Sequence, residues 1–144
     1  MPADSPWQGW WNAEVYDRFV REHGIYRALN GRMTELATIA TARRVLDLAC
    51  GAGATTAACL QALPADGELV GVDASPEMVG VARARILDPR ARFIVAPASA
   101  LPRVLEGRFD RAVCNAAMFV LMRNPISSTS LPGSSHVPAH PPIA

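Results

Sequence analysis

Apolar and polar positions follow two different rhythms along this chain, and the change of rhythm divides it. From Trp10 to Glu22 apolar side chains return at helical spacing, with Val15, Phe19 and neighbouring aromatics on one face, and Gly24 is placed to end that helix. Ile25 to Thr38 repeats the rhythm with Leu29, Met33, Leu36 and Ala37. From Arg44 the pattern becomes short apolar runs. Arg44 to Ala49 reads as a strand covered on both faces, and Glu68 to Asp73, Arg92 to Ala96 and Phe109 to Asn115 read as three further strands. Ala54 to Leu63 reads as a helix closed by the turn Pro64-Ala65-Asp66-Gly67. A further helix starts at Pro76 with Ser75 as its cap and runs to Leu87, stopping before Asp88-Pro89. Pro97 to Gly107 reads as irregular, and Ala116 to Met122 as the start of another helix.

Strand, helix and strand at this spacing imply parallel pairing through right-handed crossovers. The expected fold class is α/β, a three-layer sandwich on a parallel sheet of order 3-2-1-4. Its ligand would sit at the carboxyl ends of strands 1 and 4, where the order reverses. Three segments follow: a helical stretch 1–43, a binding core 44–124 and a tail 125–144. The tail is dense in serine and proline, which cannot build a core, so disorder is expected there. His136 and His140 have metal-like spacing, but no further ligands accompany them and Pro138 opposes a helix, so no metal site is expected.

Composition narrows the field. The chain has 144 residues, half of them hydrophobic, enough for one domain with a true core. A net charge of +1 gives no case for nucleic acid or an anionic membrane as partner. The longest apolar run is far too short to span a bilayer, and the N-terminus does not read as a signal peptide. The three cysteines, Cys50, Cys59 and Cys114, have no metal or redox spacing, which points to a reduced, cytoplasmic protein.

The candidate chemistry lies where the first strand ends. Asp47-Leu48-Ala49-Cys50-Gly51-Ala52-Gly53 leads from that strand into a small-residue helix. Gly51 and Gly53 let the backbone turn sharply and let a ligand approach closely, or they serve a tight turn with no ligand. A loop built to cradle phosphate does not want a carboxylate beside it, whereas a ligand carrying positive charge does. Asp73 ends the second strand about 20 residues further on, the place of a ribose-binding acid. It could instead be an acid favoured by a helix N-terminus.

Val45 to Gly53 resembles the first motif of class I S-adenosylmethionine (SAM)-dependent methyltransferases, and Val70 to Met78 resembles the segment that follows it in that family. The resemblance covers roughly residues 10 to 123 and implies a Rossmann-like fold, SAM (S-adenosyl-L-methionine) as cofactor and methyl transfer. It implies that Asp73 and Ala74 hold the ribose, that Asp47 orients the methionine end, that Gly51 and Gly53 admit the cofactor, and that Met78 packs on adenine. Tyr16 in the leading helices would help cap the ligand, as would Trp10 and Trp11 unless these simply pack on the sheet. The family often has an acid after strand 3 for the adenine amino group. Pro97 stands there, leaving Ala98 and Ser99 as substitutes. Asn115, after strand 4, would bind the methionine amino or carboxylate group, or cap the strand end.

The resembled fold has seven strands, and nothing after strand 4 supplies the last three. The sheet is therefore expected to be incomplete, the tail to be a truncated or frameshifted ending, and the bare edge of strand 4 to invite a homodimer. The acceptor reads as a small molecule, since Asn115-Ala116-Ala117-Met118 is not the Asn/Asp-Pro-Pro-aromatic stretch of base-methylating members. Two alternatives stand beside the enzyme: an inactive remnant or SAM-binding module without turnover, and an NAD-dependent oxidoreductase on the same sheet.

Overall fold

The structure, a computed structural model, describes residues 10–115, with side chains from residue 13 onward. The expected helix at 116–122, the tail and its histidine pair, and the tryptophan side chains of the first helix lie outside the described residues.

Two helices lead, α1 (Trp10–Glu22) and α2 (Gly24–Leu36). Gly24 opens α2 instead of closing α1; the break falls at His23, whose extended backbone (φ −97°, ψ 109°) stands at the N-cap of α2. There follow β1 (Arg44–Leu48), α3 (Ala54–Ala62), β2 (Glu68–Asp73), α4 (Pro76–Arg85) and β3 (Ala91–Val95). The stretch expected to be irregular forms a short 3-10 turn (Ala98–Ala100) and the one-turn helix α5 (Leu101–Val104), before β4 (Arg111–Val113). Ser75 caps α4 as expected, its Oγ accepting from the Met78 amide at 3.2 Å, with Pro76 in the first turn.

The sheet is parallel and its order is β3-β2-β1-β4. Alternation sorts each strand between two layers. Val45, Leu69 and Val113 face α3, in a cluster with Cys59, Leu60 and Leu63. Leu46, Leu48, Val70 and Val72 face Leu101 and Leu105 on the other side. Both faces are thus dry, which is why the strands read as near-continuous apolar runs. Phe93 lies in register with Gly71, and a Cβ on that glycine would stand 2.8 Å from the Phe93 ring. The ring therefore takes the space the glycine leaves.

The leading helices turn a different face inward from the one their apolar residues suggest. Val15 and Phe19 are 49% and 45% exposed, and Leu29 and Leu36 are 50% and 69% exposed. The inward positions of α1 are Ala13, Tyr16, Asp17 and Val20; α2 buries Asn30 and Thr34. The physical reason is pairing. Asp17 is held by Arg21 of its own helix (3.0 Å) and by Arg85 of α4. Thr34 donates to the Gly31 carbonyl at 2.7 Å, and Asn30 binds across to α3. Buried polar groups with partners cost little.

Candidate functional site

The glycine turn between β1 and α3 is built from residues in left-handed backbone conformation at every second position. Ala49 (φ 55°), Gly51 (φ 53°) and Gly53 (φ 90°) alternate with Cys50 and Ala52. The Cys50 amide donates to the Val72 carbonyl at 3.1 Å and the Gly53 amide to the Cys50 carbonyl at 3.0 Å, which fixes the turn on β2. The two glycines do different work. A Cβ on Gly51 would meet nothing within 4 Å, so that position faces open space. A Cβ on Gly53 would stand 2.6 Å from Ile86 Cδ1 and 3.3 Å from Ala82 Cβ. Gly53 therefore lets α4 pack on the loop.

A small cleft of about 50 Å³ opens beside this turn, at the carboxyl ends of β1 and β4. Ala49, Gly51 and Thr55 form its floor, and Tyr16 and Asn30 come down from the leading helices. Asn115 closes the β4 side. One polar network joins three of these elements: Asn30 Oδ1 accepts from Thr55 Oγ1 at 2.8 Å and from Asn115 Nδ2 at 2.6 Å. The cleft sits at the reversal of strand order, where open α/β sheets bind ligands.

Two carboxylates stand by the turn. Asp73 Oδ2 accepts from the Gly51 amide and Oδ1 from the Ser75 amide, both at 2.9 Å. Each oxygen keeps further acceptor capacity. Asp47 lies beneath the loop and is 1% exposed. The buried Thr56 hydroxyl donates to its Oδ2 at 2.6 Å, while Oδ1 has no partner. Burial pushes the Asp47 carboxyl up to about 7; the Thr56 hydrogen bond pulls it down, and the charge of Asp73 adds to the rise. Burial, then the charges of Tyr26 and Asp73, also raises the Tyr16 hydroxyl. Burial thus disfavours the ionised form of Asp47, and a cationic group placed beside the loop would offset that cost. The thiols offer no nucleophile. Burial raises Cys50 strongly, with Asp47 and Asp73 adding to it, and raises Cys59 to about 12.

Comparison with known proteins agrees with this geometry. The sequence model of the family described as a methyltransferase domain matches residues 45–131, more than half of the chain. The chain belongs to the methyltransferase domain family. It carries the features of the class I SAM-dependent branch, and the matches give the oxidoreductase alternative no support. The trans-aconitate 2-methyltransferase of Methylobacterium radiotolerans is 36% identical over 89 residues, which cover 62% of this chain and 32% of that protein. The YcgJ protein of Bacillus subtilis superposes with a TM-score of 0.51 at 34% identity, over 59% of this chain and 36% of its own. Cofactor-bound Rv0187 from MTB does so with a TM-score of 0.54 at 26% identity, over 60% and 42%. The chain therefore spans about a third of the curated relative that it matches.

Within this methyltransferase domain the residues singled out from sequence fall into groups. Tyr16, Gly51 and Asn115 line the cleft together. Asp73 stands at its edge, tied to Gly51, with Ala74 exposed beside it. Asp47 and Gly53 support the loop from below and behind. Met78 is 4% exposed and packs with Ala13, Ala52, Val81 and Tyr16, between α1 and α4. Ala98 and Ser99 lie on the 3-10 turn after β3; Ala98 packs on the Leu101 cluster and Ser99 is exposed. Neither reaches the cleft.

Asn30, Thr55 and Asp17 also line the cleft and were not singled out from sequence. A signal existed for them. Ala13, Tyr16, Asp17 and Val20 recur at i, i+3, i+4 and i+7, and Asn30 and Thr34 stand four apart, so both inward stripes are helical in period but partly polar.

Proposed function

We propose that this chain binds SAM across the carboxyl ends of β2, β1 and β4 and forms the cofactor-holding core, residues 44–124, of a methyltransferase acting on a small molecule. The observation that carries this reading is the pairing of an open glycine turn with two acids. Asp47 keeps one oxygen without a partner beneath the loop, and Asp73 keeps acceptor capacity at its rim. A sulfonium and an ammonium suit that surrounding, whereas a pyrophosphate does not.

Bound SAM would supply an electrophilic methyl group. The chain's own part is placement. Asp73, with Ala74 beside it, would accept from the ribose hydroxyls through charge-assisted hydrogen bonds. Gly51 would leave room for close approach, and Asn115 and Asp47 would steady the methionine end. Tyr16 would cover the ligand from α1, and an adenine reaching past the cleft, beyond the end of β2, would meet the side of Met78, Ala98 and Ser99. No general base is needed where the methyl is already activated, because holding the acceptor in line does most of the work. Free cysteines fit a reducing compartment, and we assign the chain to the cytoplasm. The outer edge of β4 is the surface we assign to pairing with a second copy.

Calorimetric titration with SAM, S-adenosylhomocysteine and NAD tests the reading. Binding of the first two with no heat from NAD is expected. NAD binding more tightly than either would overturn it.

A further inference from the structure

Asp47 belongs to the glycine turn but does not line the cleft. It precedes the floor residue Ala49 by two positions, and its partner Thr56 follows the floor residue Thr55, so its carboxyl lies one layer below the floor and is 1% exposed. Its surroundings hold no counter-charge. Thr56 Oγ1 donates to Oδ2, Oδ1 has no partner among the described residues, and none of the described ion pairs includes Asp47. The groups around it are neutral or acidic. Gly71 of β2 and Val113 of β4 stand in register with it, and α2 presents the neutral Asn30 to the adjoining Thr55. The titratable neighbours are Asp73 at the end of β2 and the thiols of Cys50 in the loop and Cys59 on α3, which burial keeps protonated. A carboxylate taken out of water with no cation and a single donor is costly, and it sheds that cost by holding a proton. The rise of the Asp47 carboxyl to about 7 has the same cause. The cleft thus lies over a neutral acid that a positive charge placed above it would ionise.

SAM and its demethylated product differ by such a charge: a sulfonium becomes a neutral thioether, while the ammonium and carboxylate stay. We propose that Asp47 senses this charge through the cleft floor, giving up its proton to solvent when the methyl donor is bound and keeping it when the product is bound. This rests on the SAM reading above. Asp47 then acts by charge and without contact, so it is not a catalytic residue. Donor binding strengthens as pH rises through about 7, because the free chain no longer has a proton to lose, whereas product binding changes little. Below that range the site holds donor and product more evenly; above it the donor is preferred.

Calorimetric titration of the full chain with SAM and with S-adenosylhomocysteine, in two buffers of different ionisation heat, counts the protons released. At about pH 6.5 SAM should release more than about half a proton per site, and S-adenosylhomocysteine little. The ratio of the two affinities should rise in favour of SAM by about threefold to tenfold from about pH 6 to about pH 8. In Asp47→Asn, checked by circular dichroism, the release and the rise should both vanish while S-adenosylhomocysteine binds as before. Where that variant fails to fold, Thr56→Val serves. It removes the hydrogen bond that lowers the Asp47 carboxyl, so the rise should move to higher pH. Equal release with both ligands, release that persists in Asp47→Asn, loss of both ligands by that variant when folded, or an unmoved rise in Thr56→Val would overturn the assignment and leave the SAM reading standing. Binding of neither ligand to the unaltered chain would sink the SAM reading itself, and this inference with it.

Discussion

The sheet and the leading helices are held in opposite ways. Around β1 and β2 the interior is apolar on both faces, and the buried carboxyl of Asp47 has a single partner among the described residues. In α1 and α2 the interior-facing positions are partly polar, Val15, Phe19, Leu29 and Leu36 look outward, and the contacts to the core include Asp17 with Arg85 and Asn30 with Thr55 beside the packing of Ala13 and Met33. Apolar packing is insensitive to direction, whereas hydrogen bonds and ion pairs fix an angle. The sheet thus supplies a rigid floor, and the helices are docked over the cleft by contacts that specify orientation.

Substitution at Gly53 should break the floor most severely. Gly53→Val would combine a left-handed φ of 90° with a 2.6 Å approach to Ile86, and should cost about 2–5 kcal/mol by urea unfolding. Gly51→Val meets no atom, so backbone strain alone should cost about 1–2 kcal/mol. Its main effect should be loss of S-adenosylhomocysteine binding.

Asp47 should make the floor sensitive to pH. Below about pH 4 its carboxyl is neutral in both folded and unfolded chains. Between about 4 and about 7 the unfolded chain ionises there while the folded chain keeps its proton, so stability falls as pH rises. Above about 7 the loss is complete, at most about 4 kcal/mol. Asp47→Asn keeps an acceptor for Thr56 and should flatten that slope, read from unfolding free energies at about pH 5 and about pH 8.

On the helix side, Asp17→Ala should cost less, about 1–2 kcal/mol, because Arg21 and Arg85 can return to water. Its signature should be faster amide exchange along α1 with β1 and β2 unchanged. Exchange rising equally in both regions would show that the helices and sheet unfold as one. The smallest effect should come from Leu29→Ser, within about 0.5 kcal/mol, since that side chain is half exposed. A loss of several kcal/mol would mean that the outward face of α2 is covered in solution.

The same contrast explains what could be read from sequence. Strand order, the parallel crossovers and β2 from Glu68 to Asp73 were legible because doubly covered strands announce themselves as apolar runs. The Ser75 cap was legible because its chemistry is local. The inward faces of α1 and α2 were not, because the partners of Asp17 and Asn30 stand 68 and 25 residues away. Gly51 and Gly53 looked equivalent for a similar reason: only the later arrival of Ile86 separates their roles. Ala49 gave no sign either. A non-glycine residue at φ 55° is set by the turn around it, not by its own preference.

The central strand also sets an order in time. Val45 pairs with Leu69 after one crossover, but with Arg111 only when α4, β3 and α5 have been made. Closing the shorter loop costs less chain entropy. During synthesis the Gly51–Asp73 side of the cleft can therefore assemble first, with one edge of β1 still bare. The Asn115 side joins last, so the two ends of the cleft have different ages in every newly made molecule.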